Sequence, residues 1–196
     1  MSRRTLDSKQ VIDQAATLAD QEGLDSVTLT RVATQLGVRQ PALYRHVDGF
    51  DGLLRSLGLR AREILAHRLT DAAVGLAGDD AVRAMGAAWR QMVKDHPGLY
   101  AATDRYPCAN DPELEEAVER VVKVLSQALV AYKLGDDQRV HAARSLRSAF
   151  HGFSHLESGD GHPHPQNLDD SFDHLLDLLC AGISRLETSP QQTVSV

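Results

Sequence analysis

Cysteine is almost missing from this chain: its 196 residues include only Cys108 and Cys180. Two thiols this far apart make neither the close pairs of a zinc knot nor a disulfide framework, so both are expected to be reduced and without special chemistry. Long apolar runs are missing too. No stretch approaches the roughly 20 uninterrupted apolar residues of a membrane span, and the opening MSRRTLDSKQ has no apolar core of a secretory leader. The expectation is a cytoplasmic chain with no membrane partner. Strand signals are nearly absent, since no run alternates apolar and polar residues and no Asn-Gly or Asp-Gly lies between β-branched stretches. Enzymatic signatures are also missing: there is no G-x-S-x-G, Gly-rich phosphate loop, H-E-x-x-H or C-x-x-C. Histidine and aspartate are plentiful, but nothing nominates an acid/base pair, so neither catalysis nor a cofactor is expected.

What is present is enough Leu, Val and Ala to bury a core, with 42% of positions hydrophobic and 24% charged, which excludes a disordered scaffold. The formal charge of -6 argues against a non-specific polyanion binder, yet the average hides a division. Residues 1–65 carry nine basic side chains against eight acidic, whereas the rest carries twelve against nineteen. That asymmetry suits a small DNA-tolerant head on an acidic body.

Helical periodicity runs throughout and predicts an all-α fold of about nine helices without an internal repeat. The first spans Ser8 to Glu22, with Val11, Ala15, Leu18 and Ala19 on one face, Asp7 or Ser8 as cap and Gly23 as stop. Thr28 caps a second, directing Val32, Ala33 and Leu36 inward. Gly37 makes a turn, and Pro41 fits the first turn of a third helix ending near Val47. Asp48 and Asp51 open a long helix through Leu69, and five more follow over Asp79–Asp95, Leu99–Thr103, Pro112–Tyr132, Asp136–Glu157 and Leu168–Leu186.

Two short helices joined by a Gly-containing turn have the layout of a helix-turn-helix reader. Leu36, Val38, Leu43 and Val47 would bury the pair, leaving Arg39, Gln40, Ala42, Tyr44, Arg45 and His46 outward or at the rim. Arg can fork onto guanine and Gln onto adenine, and Ala42 is small enough to meet a thymine methyl. Tyr44, Arg45, His46 and Thr28 are better suited to phosphate oxygens. On spacing alone, a solvated face on an ordinary three-helix bundle is the alternative.

The segment TLTRVATQLGVRQPALYRHV resembles the DNA-binding segment of the TetR family of bacterial transcriptional repressors, through Ala33, Leu36, Gly37, Val38, Pro41, Leu43, Tyr44 and His46. The resemblance covers about residues 8–60. It implies DNA contact through Thr28, Arg39, Gln40, Pro41, Ala42, Tyr44, Arg45 and His46, and an inverted-repeat operator read by a homodimer. One departure stands out: many relatives place a phosphate-holding lysine at the start of the fourth helix, where this chain reads Asp48-Gly49-Phe50-Asp51.

The resemblance also implies a division into a DNA-binding domain at 1–47, a linking helix at 48–70, an effector-binding and dimerisation domain at 71–187, and a flexible tail at 188–196. Apolar faces on the last two long helices fit a four-helix interface between subunits: Val140, Ala143, Leu146, Ala149, Phe150 and Phe153, then Phe172, Leu175, Leu176, Leu179 and Ile183. Packing of both faces inside one monomer is the alternative. Trp89, His151 and Gly152 are similar to the subgroup named for a Trp and a His-Gly pair in its C-terminal domain, which implies an effector cavity among Met85, Trp89, Met92, Tyr100, Phe150, His151 and His155. The same residues would serve as ordinary core. His151 and His155, spaced i, i+4, could bind zinc with a third ligand, but no Cys or Glu stands at ligand spacing, so no metal is expected. A ligand-responsive repressor therefore competes with a helical metal-binding protein or enzyme using the His151–His174 region, and with a helical adaptor.

Overall fold

The structure, a computed structural model, describes residues 6–106 and 108–187; the expected tail at 188–196 lies outside them. Among the described residues there are eight α-helices, three short 3-10 helices and no strand. The helices are α1 (Ser8–Glu22), α2 (Leu29–Gln35), α3 (Gly49–Ala73), α4 (Gly78–Asp95), α5 (Pro97–Arg105), α6 (Pro112–Ala128), α7 (Asp136–Ser158) and α8 (Leu168–Glu187). The 3-10 helices are Leu24–Ser26, Gln40–Arg45 and Leu129–Tyr132. Two compact units form, and neither is continuous in sequence: the chain through Leu65 joins Met92–Glu119, and Ala66–Gln91 joins the chain from Arg120.

Local chemistry sets the boundaries in the first unit. Asp7 caps α1 by accepting from the Gln10 N–H at 2.8 Å, while the Gln10 side chain accepts from the Asp7 N–H at 3.2 Å, a reciprocal capping box. Thr28 caps α2 by accepting from the Arg31 N–H at 3.2 Å. Val11, Ala15, Leu18 and Ala19 of α1 are buried, as are Val32 and Ala33 of α2, Leu43, Val47, and Leu53, Leu57 and Ala61 of α3.

The approach of α5 to α1 is unusually close. A Cβ at Gly98 would lie 1.8 Å from the Ala19 carbonyl oxygen and 2.7 Å from the Asp20 nitrogen, so only glycine fits. Beside it, the Asp20 carboxylate accepts from the Leu99 N–H at 2.8 Å and meets His96 Nδ1 at 2.8 Å, satisfying an otherwise unpaired donor at the start of α5. On the same unit, Arg55 of α3 forks onto Asp111 at 2.6 and 2.8 Å and reaches Glu113 at 2.7 Å. Hydrogen bonds from Arg55 hold the Asp111 carboxyl below its ordinary range, and those to Asp111 and Glu113 raise the guanidinium in turn.

The second unit is built from the amphipathic faces of α4, α7 and α8. Val82, Met85 and Trp89 are buried, with Ala142, Ala143, Leu146 and Phe150 on α7 and Phe172, Leu176, Cys180 and Ile183 on α8. Gly135 precedes α7, so Asp136 and Asp137 are in its first turn rather than at its cap, where their charge still favours the positive end of the helix. Burial pushes the Cys180 thiol above its ordinary range, which leaves it an unreactive core group.

Ser154 is 1% exposed, and its hydroxyl has no hydrogen-bond partner among the described residues. An unpaired buried hydroxyl is destabilising relative to a methyl group. Ser154→Ala is therefore expected to raise stability by about 1 kcal/mol in urea denaturation, whereas a loss would show that the hydroxyl has a partner in solution.

Candidate nucleic-acid interface

Gly37 ends α2 at φ +68, a left-handed conformation that glycine adopts without strain. The Gly37 N–H donates to Thr34 O at 3.1 Å and the Val38 N–H to Ala33 O at 3.0 Å, which closes the helix and redirects the chain. Arg39 is extended, and Gln40–Arg45 follows as a 3-10 helix rather than the expected α-helix reaching Val47. Its brevity and the missing N–H of Pro41 favour the tighter turn, in which side chains three apart align.

That winding sorts the side chains into ridges. Leu43 faces inward and is fully buried, while Gln40 and His46, three positions to either side of it, are half-buried at the rim. Pro41 and Tyr44 are exposed, Tyr44 by 54%, and so are Arg39 and Arg45, with half-buried Ala42 between them in sequence. Gln40 and His46 are thus less outward than the sequence implied. Arg39 and Arg45 make no hydrogen bond or ion pair with any described residue, whereas Arg31 of α2 is held by Glu22 at 2.6 Å and the Ser26 carbonyl at 3.1 Å. The first two cations are available to an external anion; the third fastens α2 to the end of α1. Asp48 and Asp51 are exposed at the start of α3, and Phe50 between them is 41% exposed.

The residues expected at an effector cavity do not all fall in one unit. Met85, Trp89 and Phe150 are buried in the second, where the Trp89 and Phe150 rings stand 6.1 Å apart at 56°. Met92 and Tyr100 are buried and belong to the first. His151 is half-buried and His155 exposed, their rings stacked 5.7 Å apart.

Sequence reasoning misses Arg90. Only 9% exposed, it forks onto Glu157 at 2.6 and 2.7 Å, reaches Asp169 at 2.7 Å, and lies over the Phe153 and Phe172 rings at 5.5 and 5.0 Å. The hydrogen bonds to Glu157 raise its already high pKa further. The available signal is its position: Arg90 falls one helical turn after Gly86 and one before Val93, on the buried face of α4. The expected intersubunit faces are divided between interior and surface: Val140 is 44% exposed, and Ala149, Phe153, Leu175 and Leu179 are half-buried. Ala143, Leu146, Phe150, Phe172, Leu176 and Ile183 pack inside the unit, while Leu178 is 72% exposed and Leu156 47%, and neither of these belongs to the expected faces.

Comparison with known proteins agrees with this arrangement. Residues 11–57 match the bacterial regulatory proteins of the tetR family, and residues 82–179 match the tetracyclin repressor-like C-terminal domain. An uncharacterised HTH-type transcriptional regulator of Mycobacterium tuberculosis is 35% identical over 184 residues, covering 93% of this chain and 84% of the relative. Two solved structures share the fold. A TetR transcriptional regulator of Streptomyces coelicolor has a TM-score of 0.73 at 19% identity, covering 93% of this chain and 100% of the other. A TetR variant of Acinetobacter baumannii in complex with minocycline has a TM-score of 0.71 at 24% identity, covering 94% and 100%. None of the described helices is long and apolar enough to cross a membrane. With a glycine-turned reading segment near its start and matches to family domains over both of its parts, this chain belongs to the TetR family of helix-turn-helix transcriptional regulators.

Proposed function

We infer that the chain acts in the cytoplasm as a homodimeric repressor, not an enzyme, which binds an inverted-repeat operator and is released by a small effector. In this reading residues 1–47 bind DNA, 48–70 link, and 71–187 take the effector and dimerise. The observation that carries it is the pair of cations, Arg39 and Arg45, left unpaired by the described residues and flanking a recognition segment whose opposite side is sealed by Leu43. Arg39 reads a guanine edge, while Arg45, Tyr44, His46 and Thr28 hold phosphates. Pro41 and Ala42 meet the base edges by shape. Exposed Leu178 on α8 is the centre of the subunit contact, and two-fold symmetry then sets the half-sites about 34 to 36 Å apart.

The effector is largely apolar, received near Met85, Trp89 and Phe150 of the second unit, with His151 or His155 offering an orienting hydrogen bond. Such a ligand acts only through its different affinity for the DNA-bound and free arrangements, and a tenfold release requires about 1.4 kcal/mol of coupling. Trp89 is the chain's single tryptophan, so its fluorescence should respond to any compound that releases DNA.

The deciding experiment selects duplexes from a randomised pool with the full-length protein and measures variants on the winner. Arg39→Ala should weaken binding by roughly 1 to 3 kcal/mol and relax preference at one base pair per half-site. Arg45→Ala should weaken all sequences alike and reduce the salt dependence by about one counterion. Recovery of no inverted repeat, or full affinity in both variants, would remove the DNA-reading assignment.

A further inference from the structure

Gln40 is not a freely swinging arm. Its side-chain oxygen accepts from the Thr30 hydroxyl of α2 at 2.8 Å, and its side-chain nitrogen donates to the Tyr44 hydroxyl at 3.1 Å, one turn further along the recognition segment. Thr30 itself is on a short, well-anchored helix, between the capping residue Thr28 and the pinned Arg31. The amide of Gln40 is thus clamped between two hydroxyls contributed by both limbs of the helix-turn-helix.

We propose that Thr30 sets the base preference of the recognition segment by holding the Gln40 amide in the state that pairs with adenine; this rests on the reading of that segment as the DNA-contacting element. A primary amide offers two acceptor and two donor positions. Thr30 occupies one acceptor position and Tyr44 consumes one donor, which leaves one of each. One acceptor and one donor are the complement of the adenine edge, which presents an N6 donor and an N7 acceptor. Guanine presents two acceptors, O6 and N7, and an unrestrained glutamine can turn both amide protons toward them. With one proton committed to Tyr44, that alternative is closed.

The clamp also removes rotational freedom before DNA arrives. A glutamine side chain loses rotamer entropy when it is held in one geometry, and here the two hydroxyls restrict it before binding. Tyr44, accepting from Gln40, keeps its own proton for a phosphate oxygen, so base reading and backbone holding share one residue. Thr30 is a positioning residue, acting through Gln40 rather than on a base.

The test uses full-length protein and the duplex selected from the randomised pool, with each base pair of one half-site replaced in turn and affinities read by fluorescence anisotropy. Gln40→Ala should abolish the preference for A·T at a single position. Thr30→Val, which removes the hydroxyl and keeps the shape, should lower that same preference about fivefold or more and leave the other positions unchanged. Thr30→Ser should retain it, and Thr30→Val should add nothing in a Gln40→Ala background. Full discrimination in Thr30→Val overturns the proposal while the reading of Gln40 stands. Uniform weakening that persists in the Gln40→Ala background also overturns it, making Thr30 a phosphate ligand. A Gln40→Ala variant with no position-specific effect removes the underlying reading, and the proposal with it.

Discussion

Replacing Arg90 with methionine is expected to destabilise the protein by about 3 kcal/mol in urea denaturation. The substitution keeps most of the aliphatic volume over Phe153 and Phe172 but removes the charge that Glu157 faces. With side-chain exposures of 11% for Arg90 and 12% for Glu157, neither group can turn to water without moving its helix. The larger share of the loss is therefore the forked, charge-assisted pairing that Glu157 gives up while its carboxylate stays largely out of water. Glu157→Gln introduced into the Arg90→Met background should recover part of the stability, and Arg90→Lys should recover less than the full amount because an ammonium cannot fork. A loss below about 1 kcal/mol in Arg90→Met would place the pair among screened surface bridges.

Gly98→Ala is expected to cost about 3 kcal/mol through overpacking. All three atoms nearest the new methyl group belong to backbone: Ala19 O at 1.8 Å, Ala19 C at 2.1 Å and Asp20 N at 2.7 Å. No rotamer change can relieve this. Either α1 and α5 separate, which also breaks the bond from the Leu99 N–H to Asp20, or the start of α5 unwinds. A fall in thermal midpoint, with loss of the protected Leu99 amide in hydrogen exchange, is the expected signature. Parental stability in Gly98→Ala would mean that the two helices are further apart in solution.

Helix ends that depend on nearby residues are legible in the sequence alone. Asp7 and Gly23 bound α1, Thr28 opens α2, and Gly37 places the turn, because each acts within a few residues of itself. The tighter winding of Gln40–Arg45 is not legible, since a six-residue stretch with a proline satisfies either helix and only the folded backbone tells them apart. The setting of Leu146 and Leu176 escapes the sequence for a related reason: an amphipathic face announces that it will be covered but not by what. Both are covered by their own unit. Arg90 escapes too, because a charge in a helical repeat reads as solvated until its partners, 67 and 79 positions away, are brought to it.

The seat of α1 on α5 has a bearing on biosynthesis. The reading surface itself is specified by the first few dozen residues, which leave the ribosome early, and a chain generally begins to fold from its N-terminus during synthesis. The carboxylate that fixes α1 to its neighbour, however, waits for an amide 79 residues downstream. A nascent chain can therefore carry a complete helix-turn-helix in sequence while α1 still lacks one wall of its packing. During translation, the packing of α1 is completed only after α5 has emerged.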